Sequence, residues 1–405
     1  MQRLVGCVLA VMLTLAPTAT AQESPVLGRL LPPLLLGPGV VQRDFTTTGV
    51  AGEVMGHLVE VELLNPAVST DLLTPGAVAA RVPLAAMADA RDAVAGINGD
   101  FFDIEGTGAA FGPAVAGSLP LQSAVPAGRR LAPPLPPGTT ADAVFGVGAA
   151  WQARVDRLAL DAQAIGPRGT VRVDGLNQHA LPVDGVGLFT PVWGTASRAG
   201  AACDAPGSCS PRVREVSVRG GVVSAVRDRP GAGLIAPDEL VLLGRDAGAD
   251  ALADLRPGDR VDVPHRLLPG DFRFAVGGTP VLRDGQPYPD LDDRERAPRS
   301  AAAVSADGFR MYLVTVDGRQ ADSVGATLAE FATLLDDLGV DDAANLDGGG
   351  SSTLVYREPG AGSVTVVNDP SDPAARAVPN GIGVFTGPEA RKPEPSGMSS
   401  AVVIE

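Results

Sequence analysis

The chain is organised around Asp341-Asp342-Ala343-Ala344-Asn345-Leu346-Asp347-Gly348-Gly349-Gly350-Ser351-Ser352, where a short apolar run ends in a carboxylate and three glycines. Successive glycines leave the backbone free to adopt positive φ angles and to present its N–H groups to a closely bound ligand. Ser351 and Ser352 add hydroxyl donors. A flexible turn between two strands has the same composition, so the neighbouring elements decide between the two interpretations.

Upstream of this stretch, the pattern predicts a strand and then an amphipathic helix. The strand covers Phe309 to Val316, and the helix covers Gly325 to Leu338 with Ser323 as a candidate cap. Strand, helix and strand in succession predict a βαβ crossover with two parallel strands. Asp317 and Asp347, which follow these strands, are then expected at the same edge of the sheet.

An arginine is predicted to join these two aspartates. Asp307-Gly308 is a signal for a two-residue hairpin turn, which places Arg299 opposite Val316 and beside Asp317. Open α/β sheets bind ligands at the C-terminal edge of their strands. We therefore expect a site there, formed by the arginine, the two aspartates and the glycine loop.

These elements predict an α+β or mixed α/β fold, with a mixed sheet, a βαβ crossover and few helices. The chain has 405 residues, of which 45% are apolar, enough for a substantial core. Short alternating runs predict a β-rich insertion at 143–269 within a domain at 52–386. The flanks are expected to be a Pro/Gly-rich leader at 22–51 and a disordered tail at 387–405.

The N-terminus and the cysteines indicate an extracytoplasmic protein. Residues 1–21 have the pattern of a secretory signal peptide, whose apolar run is too short for a transmembrane anchor. A secreted or periplasmic location follows. Cys203 and Cys209, the cysteines outside this segment, are expected to form a disulfide. The formal net charge of −15 argues against nucleic acid as a partner.

A second polar stretch, Asn98-Gly99-Asp100-Phe101-Phe102-Asp103, follows a predicted buried strand. It is either a tight turn over two packed aromatics or part of a sugar site, in which carboxylates accept hydroxyl hydrogen bonds. Thr279 presents its hydroxyl to a ligand or serves in a turn. His57 is interpreted as structural, because no other histidine is near it in sequence.

Six short segments, taken together and in order, resemble the phosphodiester glycosidase family. They are Ile97–Asp103, Gly277–Leu282, Pro298–Ala301, Val316–Arg319, Asn345–Ser351 and Pro379–Val384. The resemblance implies hydrolysis of a sugar-1-phosphodiester, such as an N-acetylglucosamine-1-phosphodiester, on the sugar side, releasing a free sugar and a phosphomonoester. The expected partner is a carbohydrate phosphodiester in a glycan or cell-wall polymer.

The resemblance also implies roles for individual residues. Asp317, Asp347 and Asp100 are the candidate catalytic residues, since glycoside hydrolysis often uses paired carboxylates. Arg299 is expected to grip the phosphate with its planar guanidinium. The candidate substrate-binding residues are Asn98, Arg299, Thr279, Gly278, Gly348, Gly349, Gly350, Ser351 and Asn380.

Two other functions remain open from the sequence. One is a metal-assisted phosphodiesterase that breaks the P–O bond; the other is a non-catalytic envelope protein that binds carbohydrate. The acidic stretch Asp341 to Asp347 lacks the pattern of an EF-hand loop. The glycosidase interpretation requires no cofactor. Whether the chain binds a divalent cation such as calcium through another arrangement of ligands stays open.

Overall fold

The computed structural model describes residues 26–130, 132–205, 207–388 and 391, and these residues form mostly β-sheet. The strands are β1 Val26–Leu30, β2 Leu34–Gly37, β3 Val40–Gly49, β4 Gly52–Glu62, β5 Val68–Leu73, β6 Val82–Pro83, β7 Ala95–Asn98, β8 Ala114–Ala116, β9 Leu119–Gln122, β10 Ala143–Gly148, β11 Ala153–Arg157, β12 Ala159–Gly166, β13 Gly169–Arg172, β14 Gly175–Leu176, β15 Val186–Phe189, β16 Cys203–Ala205, β17 Ser208–Cys209, β18 Val213–Arg219, β19 Val222–Arg227, β20 Glu239–Arg245, β21 His265–Leu268, β22 Phe272–Gly277, β23 Thr279–Arg283, β24 Gln286–Pro287, β25 Arg299–Val304, β26 Arg310–Val316, β27 Asp342–Asn345, β28 Leu354–Tyr356, β29 Thr365–Val366, β30 Ala377–Val378 and β31 Gly381–Thr386. The α-helices are α1 Leu84–Ala90, α2 Ala247–Ala251 and α3 Leu328–Asp337.

The largest sheet has nine strands in the order β1-β3-β4-β26-β25-β27-β23-β24, with β2 paired to β3. The long hairpin β3–β4 forms one side of it, and buried positions recur along β3 at every second or third residue. Part of the segment expected to be an irregular leader therefore lies in this sheet. Residues 1–25, which include the predicted signal peptide, lie outside the described part of the chain.

The predicted fold class is wrong, because nearly all strand pairs among the described residues are antiparallel, and no two neighbouring parallel strands there are joined by a helix. β25 lies between β26 and β27 and pairs antiparallel with both. Its residues Ala301, Ala302 and Ala303 are buried and small, so the strand fits at the centre of the sheet between two layers of side chains. Apart from the short β14–β15 pair, the strand pairs among the described residues are antiparallel.

The β25–β26 hairpin has the predicted register. Arg299 pairs with Val316 across a turn that contains Gly308, whose φ angle is +79°. The prediction that Arg299 lies opposite Val316 is thus confirmed. Because β26 and β27 both run opposite to β25, their C-terminal ends lie at one edge of the sheet.

Helix α3 packs on one face of the nine-stranded sheet. Its buried side chains Phe331, Leu334 and Leu335 contact the apolar face of the central strands. The helix starts later than predicted, because Thr327 and Glu330 form a capping box in which each side chain binds the other residue's backbone N–H. The candidate cap Ser323 instead donates a hydrogen bond to the carbonyl oxygen of Asp317 at 2.7 Å.

The opposite face of this sheet covers a core shared with two five-stranded sheets. One sheet has the order β29-β28-β7-β31-β5, and the other has the order β11-β10-β22-β8-β9. All three contribute fully buried apolar side chains to one cluster. Representative members are Val59, Leu313, Ile97, Ile382, Phe145 and Phe274. This packing brings the ends of β7, β27 and β31 together.

The segment expected to be a β-rich insertion contributes strands to several sheets. β10 and β11 pair within the β22 sheet, whereas β12, β13 and β21 form a sheet of their own, and β14, β15, β18, β19 and β20 form another. Cys203 and Cys209 form the predicted disulfide within the β16–β17 hairpin, with an S–S distance of 1.95 Å. Within the described ranges, no helix has the length and apolarity needed to cross a membrane.

Candidate functional site

The glycine loop that follows β27 forms one wall of a cavity of about 520 Å³. Residues Gly349–Ser351 form a turn of 3₁₀-helix, and Gly349 has a φ angle of +60°, which favours glycine. A Cβ atom at Gly350 would collide with the side chains of Asp372 and Arg376. The backbone angle thus favours glycine at 349, and a side chain at 350 would displace the ends of two side chains.

Asp347 begins this loop and lines the cavity. Burial raises its pKa to about 7, while hydrogen bonding to Ser351 and the charge of Arg376 oppose that rise. The nearby charge of Asp100 raises it further. At neutral pH, this carboxyl group is thus close to equally divided between its acid and its base forms.

Asp100 lies behind Asp347, on the loop after β7. The two loops are joined by a hydrogen bond of 2.9 Å from the N–H of Asp347 to the carbonyl oxygen of Gly99. One carboxylate oxygen of Asp100 accepts from the N–H of Gly112 at 2.5 Å, and the other is buried without a partner among the described residues. Burial raises the pKa of Asp100 to about 6, which the charge of Arg130 partly opposes.

The space for Asp100 depends on small neighbours. A Cβ atom at Gly277 would collide with its carboxylate, and one at Gly112 would approach it to 2.8 Å. Asp100 is also only 2% exposed, so its carboxylate does not line the cavity itself. It acts on the cavity through its neighbour Asp347.

Three arginines line the cavity together with the acidic residues Asp292, Glu295 and Asp347. Arg299 is 6% exposed, and its guanidinium donates to the carbonyl oxygens of Ala326 at 3.0 Å and Glu295 at 2.7 Å. Arg319 lies 3.5 Å from the carboxylate of Glu295, and Arg376 forms an ion pair with Asp372 at 2.6 Å. These cations make the cavity suited to an anionic group such as a phosphate.

The remaining wall is apolar and comes from a different part of the chain. Phe101, Pro133 and Pro134 line it. Arg130 stacks over the ring of Phe101, with 5.3 Å between its guanidinium carbon and the ring centroid, and donates to the hydroxyl of Thr279 at 2.6 Å. An apolar ring beside polar groups is the surface that sugars bind.

Asp317 lies outside this group, although the chain places it at the same sheet edge. One of its carboxylate oxygens is 3.1 Å from Nε2 of His57, and the other accepts from the N–H of Asp369 at 3.0 Å. The Nδ1 atom of His57 is 2.7 Å from Asp44. Both oxygens of Asp317 are thus engaged with protein groups, and Asp317 does not line the cavity.

Sequence comparison relates the second half of the chain to a known family. Residues 213–385 match the model for phosphodiester glycosidase. The resemblance inferred from the sequence is therefore confirmed. No curated protein matches the chain.

Two solved structures share the fold of the chain. A hypothetical protein from Synechocystis superposes with a TM-score of 0.69 at 23% identity, covering 86% of this chain and 62% of that one. The chain thus spans about 62% of the length of the Synechocystis protein. A protein from Burkholderia pseudomallei K96243, inferred to be exported, superposes with a TM-score of 0.68 at 18% identity, covering 90% and 99% of the two chains.

A third structure is the catalytic domain of zebrafish N-acetylglucosamine-1-phosphodiester alpha-N-acetylglucosaminidase, auto-inhibited by its pro-peptide. It matches at 17% identity with a TM-score of 0.45, covering 92% of this chain and 95% of that domain.

The phosphodiester glycosidase segment supplies Arg299, Asp347 and the glycine loop to the cavity, whereas Asp100 precedes it. The predicted ligand residues of the loop, Gly348, Gly349 and Gly350, all line the cavity. Ser351 lies just beneath them and binds Asp347.

Four other predicted substrate-binding residues contact protein groups instead. Asn98 is fully buried, and its amide binds Ser300, the N–H of Thr353 and the carbonyl oxygen of Asp347. Asn380 accepts from the N–H of Asp100 at 3.0 Å. Thr279 accepts from Arg130, and Gly278 packs against β27. Their roles as ligands for substrate remain predictions.

The sequence analysis missed three arginines at this site. Arg319 lies in Val316–Arg319, one of the six segments on which the resemblance to phosphodiester glycosidases rests. Its place in that segment could have indicated that it belongs to the site. Arg130 and Arg376 have no local signal, because they reach the site through contacts with residues far away in the sequence.

The acidic stretch before the glycine loop lies at the other end of β27. Carboxylate oxygens of Asp284, Asp341 and Asp342 come within 4.8 Å of one another, as a cation site requires. This cluster is separated from Asp347 by the length of β27, and it shares no residue with the cavity. Acidic groups alone do not assign a metal to it.

Proposed function

We propose that this chain hydrolyses a sugar-1-phosphodiester on the sugar side, releasing a free sugar and a phosphomonoester. The observation that carries the proposal is the carboxyl group of Asp347, with its pKa raised to about 7, on the wall of a cavity that three arginines also line. The family match of residues 213–385 supports this class of reaction.

The arginines and the glycine loop form the phosphate half of the proposed site. Guanidinium groups pair well with phosphate oxygens, and N–H groups in a glycine loop favour an anion. Arg299 is held at two of its nitrogens by carbonyl oxygens, so its orientation is set before substrate arrives. Preorganised cations stabilise the charge that develops on the departing phosphate.

Asp347 is the proposed general base. It removes a proton from a water molecule whose oxygen forms a bond to C1 of the sugar. The bond from C1 to the phosphate oxygen breaks, and its electron pair stays on that oxygen beside the arginines. Because phosphate is a good leaving group, a strong general acid is unnecessary. A base with a pKa near the working pH is the most effective kind.

In this scheme, the negative charge of Asp100 disfavours a second buried anion beside it and so raises the pKa of Asp347. The Asp347 carboxylate is thereby a stronger base. Asp317 is assigned no reacting role, because its carboxylate is engaged with His57 and Asp369. Phe101 offers an apolar ring for one face of the sugar.

The deciding experiment is hydrolysis of an α-N-acetylglucosamine-1-phosphodiester in oxygen-18 water by residues 22–405, with and without chelator. Label in the released sugar supports C–O cleavage. Label in the phosphate would instead indicate a phosphodiesterase, and loss of that activity with chelator would assign it a metal. Absence of turnover, together with measurable glycan binding, would indicate a carbohydrate-binding protein.

Asp347→Asn is the matched variant for this experiment, because it keeps the shape of the side chain and removes the base. Loss of a general base lowers turnover by roughly 10²–10⁴-fold. A variant with wild-type turnover would exclude Asp347 as the base.

We infer further that the substrate is extracytoplasmic, as a glycan or cell-wall polymer with sugar-1-phosphate linkages would be. The signal-peptide pattern of residues 1–21 and the inferred export of the Burkholderia protein support this location. N-terminal sequencing of the protein recovered from the periplasm or medium tests it, with a first residue of Gln22 expected.

A further inference from the structure

His57 is a buried imidazole held between two carboxylates, and the proposed reaction does not use it. It is 8% exposed and lies on β4, between Asp44 on β3 and Asp317 at the end of β26. Its Nδ1 atom is 2.7 Å from Asp44, and its Nε2 atom is 3.1 Å from Asp317. Both ring nitrogens therefore have acidic partners, which favours the cationic form of the ring.

The other groups around His57 are neutral. Gln42 on β3 donates to the Asp44 carboxylate at 2.5 Å. Thr315, the partner of His57 on β26, is fully buried, and its hydroxyl has no partner among the described residues. A charged His57 is thus the nearest cation to two carboxylates, one of them almost completely buried.

Asp317 connects His57 to two loops through hydrogen bonds. The carboxylate of Asp317 accepts from the N–H of Asp369, and Gln320 donates to the carbonyl oxygen of Asp369 at 2.8 Å. The carbonyl oxygen of Asp317 accepts from Ser323 at 2.7 Å, which closes the first loop on itself. Loops 317–323 and 368–376 are thus joined at Asp317.

Each of these loops contributes one arginine to the lining of the cavity. Arg319 is two residues after Asp317 and has a φ angle of +62°, so its position depends on how the loop is held. Arg376 follows Asp369 in the second loop and pairs with Asp372. Gly318 packs so closely that a Cβ atom there would lie 2.8 Å from the backbone nitrogen of Pro298. A shift at Asp317 would therefore move both arginines.

We infer that His57 is a positioning residue, which orients Arg319 and Arg376 toward a bound phosphate group by holding Asp317 between the two loops. The inference rests on the proposed function of the arginine-lined cavity as a phosphate site. It does not depend on which bond of the substrate breaks.

The test is binding of inorganic phosphate to the full mature chain, measured by titration calorimetry at pH 8. His57→Gln is expected to bind phosphate roughly tenfold more weakly, the usual effect of misplacing a hydrogen bond to a charged group. His265→Gln is the matched control, because this histidine lies on β21 and its Nδ1 donates to the carbonyl oxygen of Val263. The control is expected to bind phosphate as the wild type does.

A pH series separates positioning from general damage to the fold. Asp317 and Asp44 raise the pKa of His57 to about 9 against the opposing effect of burial. Inorganic phosphate is predominantly the dianion throughout the range from about pH 8 to about pH 10, so its own charge changes little there. Wild-type affinity is therefore expected to fall as the pH rises through about 9, whereas the affinity of His57→Gln should stay level.

Asp44→Asn provides a second variant with less risk to folding, since the Asp44 side chain is 42% exposed. Removal of one carboxylate lowers the pKa of His57, so the loss of affinity should begin at a lower pH than in the wild type. Equal phosphate affinity and equal pH dependence in wild type, His57→Gln and Asp44→Asn would overturn the inference. A folded wild type that binds no phosphate would also overturn it.

The outcomes for this inference and for the proposed function are separable. Phosphate binding that depends on His57, without hydrolysis of any sugar phosphodiester, would overturn the hydrolase and support the positioning role. If turnover and phosphate binding are both unchanged in His57→Gln, the positioning role is overturned and the hydrolase is supported.

Discussion

At the scale of single residues, the groups around Asp347 have opposing effects on the ionisation of its carboxyl group. Burial and the neighbouring Asp100 favour the neutral carboxyl group, whereas Ser351 and Arg376 favour the anion. The result is a pKa of about 7, far above the ordinary value of 3.8. Such a shift adapts the side chain for proton transfer and lowers the stability of the fold at neutral pH.

Asp347→Asn is expected to stabilise the protein at alkaline pH. The folded-state pKa lies above 3.8, so the folded protein binds this proton more tightly than the unfolded chain does. The contribution of Asp347 to stability is therefore complete below pH 3.8 and is lost as the pH rises through about 7. The variant should gain roughly 2–4 kcal/mol in the free energy of unfolding at pH 8.

Urea unfolding at pH 8 and at pH 4 measures this gain, which should vanish at the lower pH. Asp290→Asn serves as the control, because Asp290 is exposed and its change should alter stability by less than about 0.5 kcal/mol. A less stable Asp347→Asn at pH 8 would mean that the arginines outweigh the cost of burial.

The pH dependence of turnover tests the proposed base. Asp100, with a pKa of about 6, ionises before Asp347, so kcat/KM should rise with pH through about 7 as Asp347 becomes the base. The apparent pKa belongs to the coupled pair of carboxyl groups. Initial rates at subsaturating substrate between pH 5 and pH 8 measure it, and a rate that falls over this range would assign Asp347 the role of an acid instead.

At the scale of elements, the start of helix α3 is fixed by the residues at its N-terminus. Thr327 and Glu330 cap it reciprocally, and the Glu330 carboxylate also pairs with Arg296 on the chain leading to Arg299. The helix thereby supports the segment that holds Arg299, while its apolar side chains pack on the nine-stranded sheet.

Thr327→Ala removes one half of the capping box. The loss of an N-cap side chain costs about 1 kcal/mol in the free energy of unfolding, because the N–H of Glu330 loses its acceptor. Thermal unfolding should show the decrease, and Thr327→Ser should restore most of the stability. An unchanged melting temperature in Thr327→Ala would show that the Arg296 pair alone holds this helix end.

At the scale of the whole molecule, the site lies where two sheets meet. Asn98, at the end of β7, joins them: its amide oxygen accepts from Ser300 on β25 at 2.7 Å and from the N–H of Thr353 at 3.0 Å. Its amide nitrogen donates to the carbonyl oxygen of Asp347 at 2.7 Å. One side chain thus connects the two sheets and the glycine loop.

Asn98→Ala is expected to destabilise the protein by roughly 2–4 kcal/mol, because buried partners are left without hydrogen bonds. Equilibrium unfolding measures the loss. Asn65→Ala is the comparison, since the Asn65 side chain accepts a single local bond from the N–H of Ala67. If Asn98 contacts substrate instead of linking the sheets, Asn98→Ala should lose substrate affinity while keeping its stability.

Much of the local structure could be predicted because it depends on residues close together in the chain. The Asp307-Gly308 turn set the register that pairs Arg299 with Val316, and the glycine loop was placed after a strand. The disulfide between Cys203 and Cys209 was likewise predictable from compartment and spacing. Turn geometry, glycine conformations and short loops act over a few residues.

The arrangement of the strands could not be predicted in the same way. The βαβ prediction failed because β25, which precedes β26 in the chain, pairs with both flanking strands, and no local pattern indicates this pairing. Strand pairing is settled by which faces can be buried together, and this depends on the whole set of sheets.

The sequence by itself determined the glycine loop, the hairpin that positions Arg299 and the similarity of residues 213–385 to phosphodiester glycosidase. Only the tertiary structure decided that Asp347 neighbours Asp100, and that Asp317 is held by His57. Residue types specify which groups are able to ionise or bind, whereas burial and charged neighbours set their pKa values and their availability. Those neighbours come from distant parts of the chain, so folding has to bring them together before the chemistry of the site is defined.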